Sequence, residues 1–375
     1  MTHLPPLRLT GASILRDGEM QSRSLALAEG RLVTGPLPEV DLRGFYILPG
    51  IVDLAGARIP GPAALAGALR AAEQAVAAQG VTTGTLCQGW GWAAEDRPQA
   101  AEALVAALLE ARPTTDLRPL FRVETHLLDS GAALIALAER LPGSLVLFED
   151  RLEATLERSL HDPVGFAAEA RRAGRSPQAH LALLRTLAAR SREVPRHLCR
   201  LAEAFDRLGL VYGSQGDADG ETRERYSMIG ARVAAFPAGR KAAAAAKAMM
   251  APVLLSAAEV LAQGPAEDLI RQGLCDALAS QGAPETLAAA AWALVERGIL
   301  PLEKAWALIS ALPAEILRLP DRGKLRPGLR ADLVVVNAES RTVEATIAGG
   351  RLTFLAGEAG RRFLRQPKAL AFAAE

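Results

Sequence analysis

This chain of 375 residues has few cysteines and few aromatic residues. It also has almost no net charge and no long apolar run. The three cysteines, Cys87, Cys199 and Cys275, are far apart and odd in number, which argues against a disulfide framework and a paired-cysteine zinc motif. The formal net charge of +1 gives no indication of a nucleic-acid partner or a membrane surface. The apolar run 242–246 is ended by Lys247, well short of a membrane span.

Residues 1–6 lack a charged stretch followed by an apolar run, so we predict no secretory signal and expect a cytoplasmic protein. Hydrophobic residues make up 50% of the chain and aromatic residues only 4%, so the core must consist mostly of Ala, Leu and Val. Such a core suits helices packed closely around a parallel sheet. The length suits two ordinary domains or one α/β barrel with an appendage.

Both ends of the chain have the pattern of short strands. Apolar and polar residues alternate over much of 7–47, and a strand at 332–337 is followed by a hairpin at 343–354. We therefore predict a small β-sandwich that is built from residues 1–50 and 322–375.

The middle of the chain alternates helical and strand patterns. A helix at 62–79 precedes a strand at 80–86, and a helix at 98–111 precedes a strand at 120–125. Further strands are predicted at 144–148, 210–212, 231–236, 252–256 and 275–278, with later helices at 284–297 and 302–312. Repeated units of this size predict an α/β fold, a TIM-type (β/α)8 barrel with right-handed crossovers, over residues 51–321.

Three segments resemble the amidohydrolase superfamily. They are Pro49–Leu54 (PGIVDL), residues 80–83 (GVTT) and residues 323–334 (GKLRPGLRADLV), the last of which resembles the segment where the chain returns to the small sheet. Within the superfamily, the segments 214–217 and 276–280 resemble the phosphonate-metabolism branch. That branch includes a diphosphohydrolase that acts on a ribose-phosphonate triphosphate.

The resemblance implies a catalytic metal centre whose histidine and acidic ligands follow the barrel strands. In this chain the implied positions carry other residues, namely Ala55, Ala57, Arg151, Gln215 and Gln281. A methyl group has no lone pair with which to hold a cation and activate water. Only Asp150 and Asp217 remain as carboxylates, so we expect no metal and no cofactor, and whether the chain is an enzyme stays open.

Three arginines lie near the positions of the replaced ligands. Arg58 follows the first pair, Arg122 lies on the third strand, and Arg151 stands where the resemblance implies a histidine. Guanidinium groups supply positive charge and bidentate contacts to phosphate without a metal. The alternative is local pairing with Glu124, Glu149 or Asp150.

His126 follows the strand that ends at Thr125, on the face where barrel enzymes keep their chemistry. It is predicted to be an imidazole in contact with a ligand or, alternatively, a hydrogen-bonded structural histidine. The other histidines are expected to be solvated or to cap helices. Residues 89–92 (GWGW) are predicted to form a loop in which Trp90 and Trp92 provide a stacking or lid surface, or pack over the barrel mouth.

Two functions follow from these residues. The first is a non-catalytic or weakly catalytic barrel that binds a phosphorylated or phosphonate small molecule, or a partner from the same pathway. The second is an active metal-independent hydrolase of a phosphate or phosphonate ester that uses His126 with Asp217, although residues 217–220 also read as a polar surface turn. The predicted ligand-binding residues are Arg58, Trp90, Trp92, Arg122, His126, Arg151 and Asp217. A homo-oligomer is left open.

Overall fold

The computed structural model describes residues 3–59, 65–141 and 143–365. Before the barrel, the strands are β1 (Leu7–Thr10), β2 (Ser13–Arg16), β3 (Glu19–Gln21), β4 (Leu25–Ala28), β5 (Arg31–Val33), β6 (Glu39–Asp41) and β7 (Phe45–Pro49). The barrel strands are β8 (Ile51–Asp53), β9 (Val81–Trp90), β10 (Asp116–Glu124), β11 (Leu145–Glu149), β12 (Val211–Gln215), β13 (Val233–Ala235), β14 (Val253–Ser256) and β15 (Ala277–Ala279). After the barrel come β16 (Leu333–Asn337), β17 (Val343–Ala348) and β18 (Arg351–Leu355).

Helices connect the barrel strands and flank the small sheets. The first of them are α1 (Leu65–Ala78), α2 (Pro98–Ala111), α3 (Gly131–Arg140), α4 (Leu152–His161), α5 (Pro163–Arg172), α6 (Pro177–Ala189) and α7 (Val194–Arg207). They are followed by α8 (Gly220–Met228), α9 (Arg240–Ala248), α10 (Ala257–Leu261), α11 (Pro265–Arg271), α12 (Glu285–Glu296), α13 (Leu302–Ala307), α14 (Ala311–Ile316) and α15 (Gly357–Leu364). Among the described helices, none combines the length and the apolar character that a membrane crossing demands.

The two ends of the chain form two small sheets, with strand orders β5-β4-β1-β6 and β18-β17-β16-β7-β2-β3. The second sheet joins the termini directly, because β16 pairs antiparallel with β7 along its whole length. One buried apolar cluster joins the two sheets, and it includes Leu9, Leu27, Ile47 and Val335. The predicted small β-sandwich is therefore confirmed.

Strands β8 to β15 follow one another in chain order and pair in parallel, with helices between them. At the carboxyl ends, the Gln281 N–H donates to the Ala55 carbonyl at 2.7 Å, which links the segment after β15 to the segment after β8. Aliphatic side chains such as Leu120, Leu147 and Leu254 fill the interior. The predicted (β/α)8 barrel is confirmed, and its core agrees with the low aromatic content.

A group of four helices, α4 to α7, is inserted between β11 and β12. Two of the boundaries have clear local causes. Asp162 and Ser176 each cap the following helix by accepting a backbone hydrogen bond, at 2.9 and 3.1 Å. Pro163 and Pro177 stand at the first helical positions, and a residue before proline is disfavoured in helical conformation.

The helix predicted at 302–312 is two helices, α13 and α14. Pro313 has no N–H to donate to a carbonyl four residues earlier, so an unbroken helix would lose a hydrogen bond there. The chain instead restarts at Ala311, which places the proline in the first turn of α14. The helix predicted at 62–79 is observed from Leu65, and residues 60–64 lie outside the described residues.

The closure of the barrel depends on a buried carboxylate. Asp53, the last residue of β8, accepts from the Ser280 hydroxyl at 2.5 Å and from the Ser280 N–H at 3.1 Å. Burial raises the pKa of Asp53, although these hydrogen bonds lower it in part. Ser280→Ala removes the hydroxyl donor from a buried group, so we expect a loss of about 1–3 kcal/mol in the free energy of unfolding. Urea denaturation measures this loss.

The exposed Ser340 provides the matched control, because Ser340→Ala is expected to change the unfolding free energy by less than about 0.5 kcal/mol. Equal effects of the two substitutions would contradict the role assigned to the Ser280 hydroxyl.

Candidate functional site

Charged side chains gather where β10 and β11 end, at the barrel mouth. Glu124 and Glu149 are the last residues of these strands and lie opposite one another in the register. Both are buried, Glu124 fully. His126 follows β10, and Asp150 and Arg151 follow β11. Two buried carboxylates side by side need compensation by hydrogen bonds or positive charge.

Arginines supply that compensation. Arg122 donates from Nε and Nη2 to Glu149 Oε2, at 3.0 and 2.6 Å. Arg151 Nε lies 3.0 Å from Glu149 Oε1 and 3.6 Å from Glu124 Oε2, and the Arg151 backbone N–H donates to the same Glu124 oxygen at 3.1 Å. The local pairing that the sequence left as an alternative is therefore present.

Arg58 and Arg151 also share Asp96, which lies in a short 3₁₀ turn after β9. Arg58 Nη2 hydrogen-bonds Asp96 Oδ1, and Arg151 Nη2 lies 3.5 Å from Asp96 Oδ2. The Asp96 side chain is 3% exposed, whereas those of Arg58 and Arg151 are 43% and 36% exposed. The buried Asp96 carboxylate therefore pairs with both guanidinium groups, and the Arg58 and Arg151 side chains remain partly exposed to solvent.

The two tryptophans are buried. Trp90 is the last residue of β9 and its Nε1 donates to the Ser130 hydroxyl at 2.8 Å, so the prediction that Gly89 and Trp90 lie in a loop is wrong. The strand continues because its residues pair with β10 as far as Trp90. Trp92 packs with Phe166 of the inserted helices and lies under the Arg151 guanidinium, 5.5 Å from its ring centroid.

A cleft of about 270 Å³ opens between the barrel mouth and helices α4 and α5. Its charged lining residues are Arg58, Arg151, Arg158, Arg172, Glu95, Asp96 and Glu169. Four guanidinium groups thus face three carboxylates. Arg158 donates to Glu169 at 3.0 Å. Arg122 is not among the lining residues, and it lies beside Cys87, whose thiol pKa is raised by burial.

His126 lies between two carboxylates, a grouping that the sequence did not predict. Its Nδ1 is 3.5 Å from Glu124 Oε1 and 3.6 Å from Asp150 Oδ1, and one atom from each of the three residues lies within 4.8 Å of the others. Burial raises the pKa of Glu124, although the neighbouring His126 imidazole and the nearby Arg151 charge lower it in part. The signal in the sequence is the Glu-x-His spacing at the end of β10.

Asp217 is not in a polar surface turn, and that prediction is wrong for this residue. It is buried, it accepts from the Ser214 hydroxyl at 2.8 Å, and its Oδ2 lies 3.3 Å from Nη1 of the fully buried Arg223. Burial raises the pKa of Asp217. The exposed member of the same segment is Asp219, which caps α8 by accepting from the Thr222 N–H at 2.8 Å. None of the described hydrogen bonds or ion pairs joins Asp217 to His126.

Two of the remaining histidines also differ from expectation, because His180 and His197 are buried within the inserted helices rather than solvated or in a cap. The His180 ring packs against Phe166 at 5.3 Å between centroids, and burial lowers the pKa of both imidazoles. Both lie on the apolar faces of amphipathic helices, which explains their burial.

The positions that the resemblance assigned to metal ligands lie at the same mouth. Ala55 is buried, and the Ala57 carbonyl accepts from the Cys87 N–H at 2.9 Å. Gln215 ends β12, and Gln281 follows β15 in a left-handed conformation with φ of 51°. Each of the alanines presents only a methyl group.

Solved structures place the fold in a known class. The N-acetyl-D-glucosamine-6-phosphate deacetylase of Mycobacterium smegmatis aligns over 93% of this chain and all of its own, with a TM-score of 0.65 and 16% identity. The β-aspartyl dipeptidase of Fervidobacterium islandicum AW-1 aligns over 93% of this chain and 97% of its own, with a TM-score of 0.63 and 14% identity. This chain therefore shares the fold of these two enzymes, as the resemblance in the sequence predicted.

One curated protein is similar in sequence. It is the alpha-D-ribose 1-methylphosphonate 5-triphosphate diphosphatase of Escherichia coli (strain K12), 29% identical over 161 residues. The match covers 41% of this chain and 41% of the length of that relative. No protein-family model matches the chain.

Proposed function

We propose that this protein is a non-catalytic or weakly catalytic amidohydrolase-like barrel that binds a phosphorylated or phosphonate small molecule at the barrel mouth. The observation that carries the proposal is the cleft with four arginines against three carboxylates. Guanidinium groups recognise phosphate oxygens through paired, planar donors. The part of the chain that resembles the diphosphatase supports a phosphonate or phosphate ligand in particular.

The arrangement of charge supports binding of an anion. Asp96 is buried beneath Arg58 and Arg151, so it fixes the two guanidinium groups in position before a ligand arrives. Pre-positioned groups lose less conformational freedom when a ligand binds. Arg158 and Arg172 approach from the inserted helices on the other side of the cleft. A phosphate group between the two sides would meet donors from both.

The side chains of Ala55 and Ala57 offer no lone pair to a metal at two positions where the resemblance implies ligands, which supports binding rather than metal-assisted hydrolysis. The alternative of a hydrolase that uses His126 with Asp217 is supported by no contact between them, since Asp217 is engaged by Ser214 and Arg223. We therefore favour binding over catalysis.

Calorimetric titration with ribose 5-phosphate and methylphosphonate tests the proposal, with ribose as the neutral control. We expect both anions to bind in the cleft, more weakly as ionic strength rises, and ribose not to bind. Bound anion should also raise the melting temperature, because only the folded chain binds it. Absence of both heat and thermal shift at millimolar anion would overturn the proposal.

A further inference from the structure

His180 of α6 is an ionisable residue that the proposed function does not use. Its side chain is fully buried, and neither ring nitrogen has a hydrogen-bond partner among the described residues. A neutral imidazole carries one N–H donor and one lone pair, and a buried donor that stays unpaired costs about 1–3 kcal/mol. An acceptor lies close by, because Glu169 Oε1 is 3.8 Å from His180 Nε2, just beyond hydrogen-bond distance.

Glu169 is engaged through its other oxygen by Arg158. Arg158 Nη1 donates to Glu169 Oε2 at 3.0 Å, and both residues line the cleft at the barrel mouth. The Arg158 side chain is 48% exposed and that of Glu169 is 18% exposed, so a ligand in the cleft can reach the guanidinium group. A line of contacts therefore runs from the exposed Arg158 through Glu169 to the buried ring of His180.

Three elements bring charged groups towards His180. Helix α5 contributes Glu169, α4 contributes Arg158 through that carboxylate, and the turn before α6 contributes Arg175. Arg175 is held in place by its Nη1, which donates to the Trp92 carbonyl at 2.7 Å. Burial lowers the pKa of His180, the Glu169 charge raises it in part, and the Arg175 charge lowers it. The ring is therefore neutral at neutral pH while Arg158 occupies Glu169.

The balance of charge in the cleft favours the uptake of a proton when an anion binds. Four arginines against three carboxylates give its lining a net charge of +1. A phosphate monoester carries a charge of about −2 at neutral pH, so its binding leaves the cleft negative. One further proton offsets that excess. No histidine is among the described residues that line the cleft, and His180 adjoins it through Glu169.

We infer, taking the cleft as the anion site of the proposed function, that a bound phosphate group draws Arg158 away from Glu169 and that His180 then takes up a proton and pairs with the released carboxylate. Phosphate oxygens replace Glu169 as acceptors for the guanidinium group. Glu169 Oε1 needs to approach His180 Nε2 by only about 1 Å to form a hydrogen bond. The proton comes from solvent and forms the second N–H of the ring. Affinity for the anion therefore falls as the pH rises.

The link between Arg158 and His180 can be tested without a ligand. NMR follows the titration of the imidazole in the full chain, and the signal of His180 is assigned by its loss in His180→Gln. Arg158→Gln frees Glu169 as the ligand would, so we expect it to raise the pKa of His180. In a chain that already carries Glu169→Gln, the same substitution should have little further effect.

Arg172→Gln provides the matched control. It removes an equal charge from the same cleft, and Arg172 is exposed and forms no ion pair among the described residues. We therefore expect a smaller rise in the pKa of His180 than in Arg158→Gln. A pKa of His180 that Arg158→Gln leaves unchanged, or that the two substitutions raise equally, would overturn the inference whether or not the cleft binds phosphate.

Calorimetry with ribose 5-phosphate tests the coupling itself. Titration at neutral pH in buffers of different ionisation enthalpy counts the protons taken up with the ligand. The unaltered protein should take up as much as about one proton more than His180→Gln, which corresponds to about a tenfold loss of affinity for each unit of pH. The comparison cancels the protonation of the ligand, which is the same for both proteins.

Glu169→Gln should lose the same uptake, and it keeps the test decisive if the buried His180→Gln variant folds poorly. Equal proton uptake by the unaltered protein and the folded variants would overturn the inference and leave the anion site intact. Absence of ribose 5-phosphate binding by the unaltered protein would overturn the proposed function and, with it, the coupling of ligand to proton.

Discussion

Arg151→Gln is expected to weaken the binding of ribose 5-phosphate by about tenfold to a hundredfold. Arg151 lies at the centre of the candidate site, with Glu149, Asp96 and the ring of Trp92 around its guanidinium. A hydrogen bond to a charged group contributes about 1.5–3 kcal/mol, and each 1.4 kcal/mol corresponds to roughly a tenfold change in affinity. Calorimetric titration of the folded variant measures the change.

Two further variants separate specific binding from a general effect of charge. Arg271→Gln removes a positive charge from α11, where Arg271 pairs with Glu267 at 2.8 Å, and affinity should change less than twofold. Arg151→Lys keeps the charge but loses the planar pair of donors, so it should recover only part of the affinity. If Arg151→Gln binds ribose 5-phosphate as tightly as the unaltered protein, the cleft is not the binding site.

Arg223→Met is expected to reduce the free energy of unfolding by about 3–5 kcal/mol, because it leaves Asp217 as an uncompensated buried charge. Arg223 is fully buried, and besides Asp217 it donates to the carbonyl of Val233 at 3.2 Å and to that of Ala231. These contacts hold α8 against β13. Urea denaturation measures the loss.

The double variant Arg223→Met/Asp217→Asn should be more stable than Arg223→Met alone, since no buried charge is then left without a partner. Asp217→Asn alone should bind ribose 5-phosphate like the unaltered protein. A loss of ligand binding with little change in stability would contradict the structural role of Asp217 and would favour the alternative that pairs it with His126.

Much of the barrel was predictable because local patterns and tertiary structure agree there. The strand predicted at 144–148 is Leu145–Glu149, and the helix predicted at 98–111 is Pro98–Ala111. The second strand is longer than the predicted 80–86, because its extension to Trp90 depends on pairing with β10. That pairing joins residues far apart in the chain and leaves no local signal.

The candidate site was predictable in part. The ends of the barrel strands identified Arg58 and Arg151, since the carboxyl ends of parallel strands meet at one face. The burial of individual side chains was harder to predict. Asp217 lies in a segment rich in turn residues, and its burial follows from Arg223 six residues later, which carries its own charge into the interior. Arg158 and Arg172 reach the cleft only because of how the inserted helices pack.

A crystal structure of the protein with ribose 5-phosphate would show directly whether the phosphate group binds in the cleft. We expect phosphate density in the cleft, within hydrogen-bond distance of Arg58 and Arg151, with none beside Ala55. Phosphate bound elsewhere on the protein, or a cleft that stays free of it while calorimetry records binding, would contradict the proposed binding site.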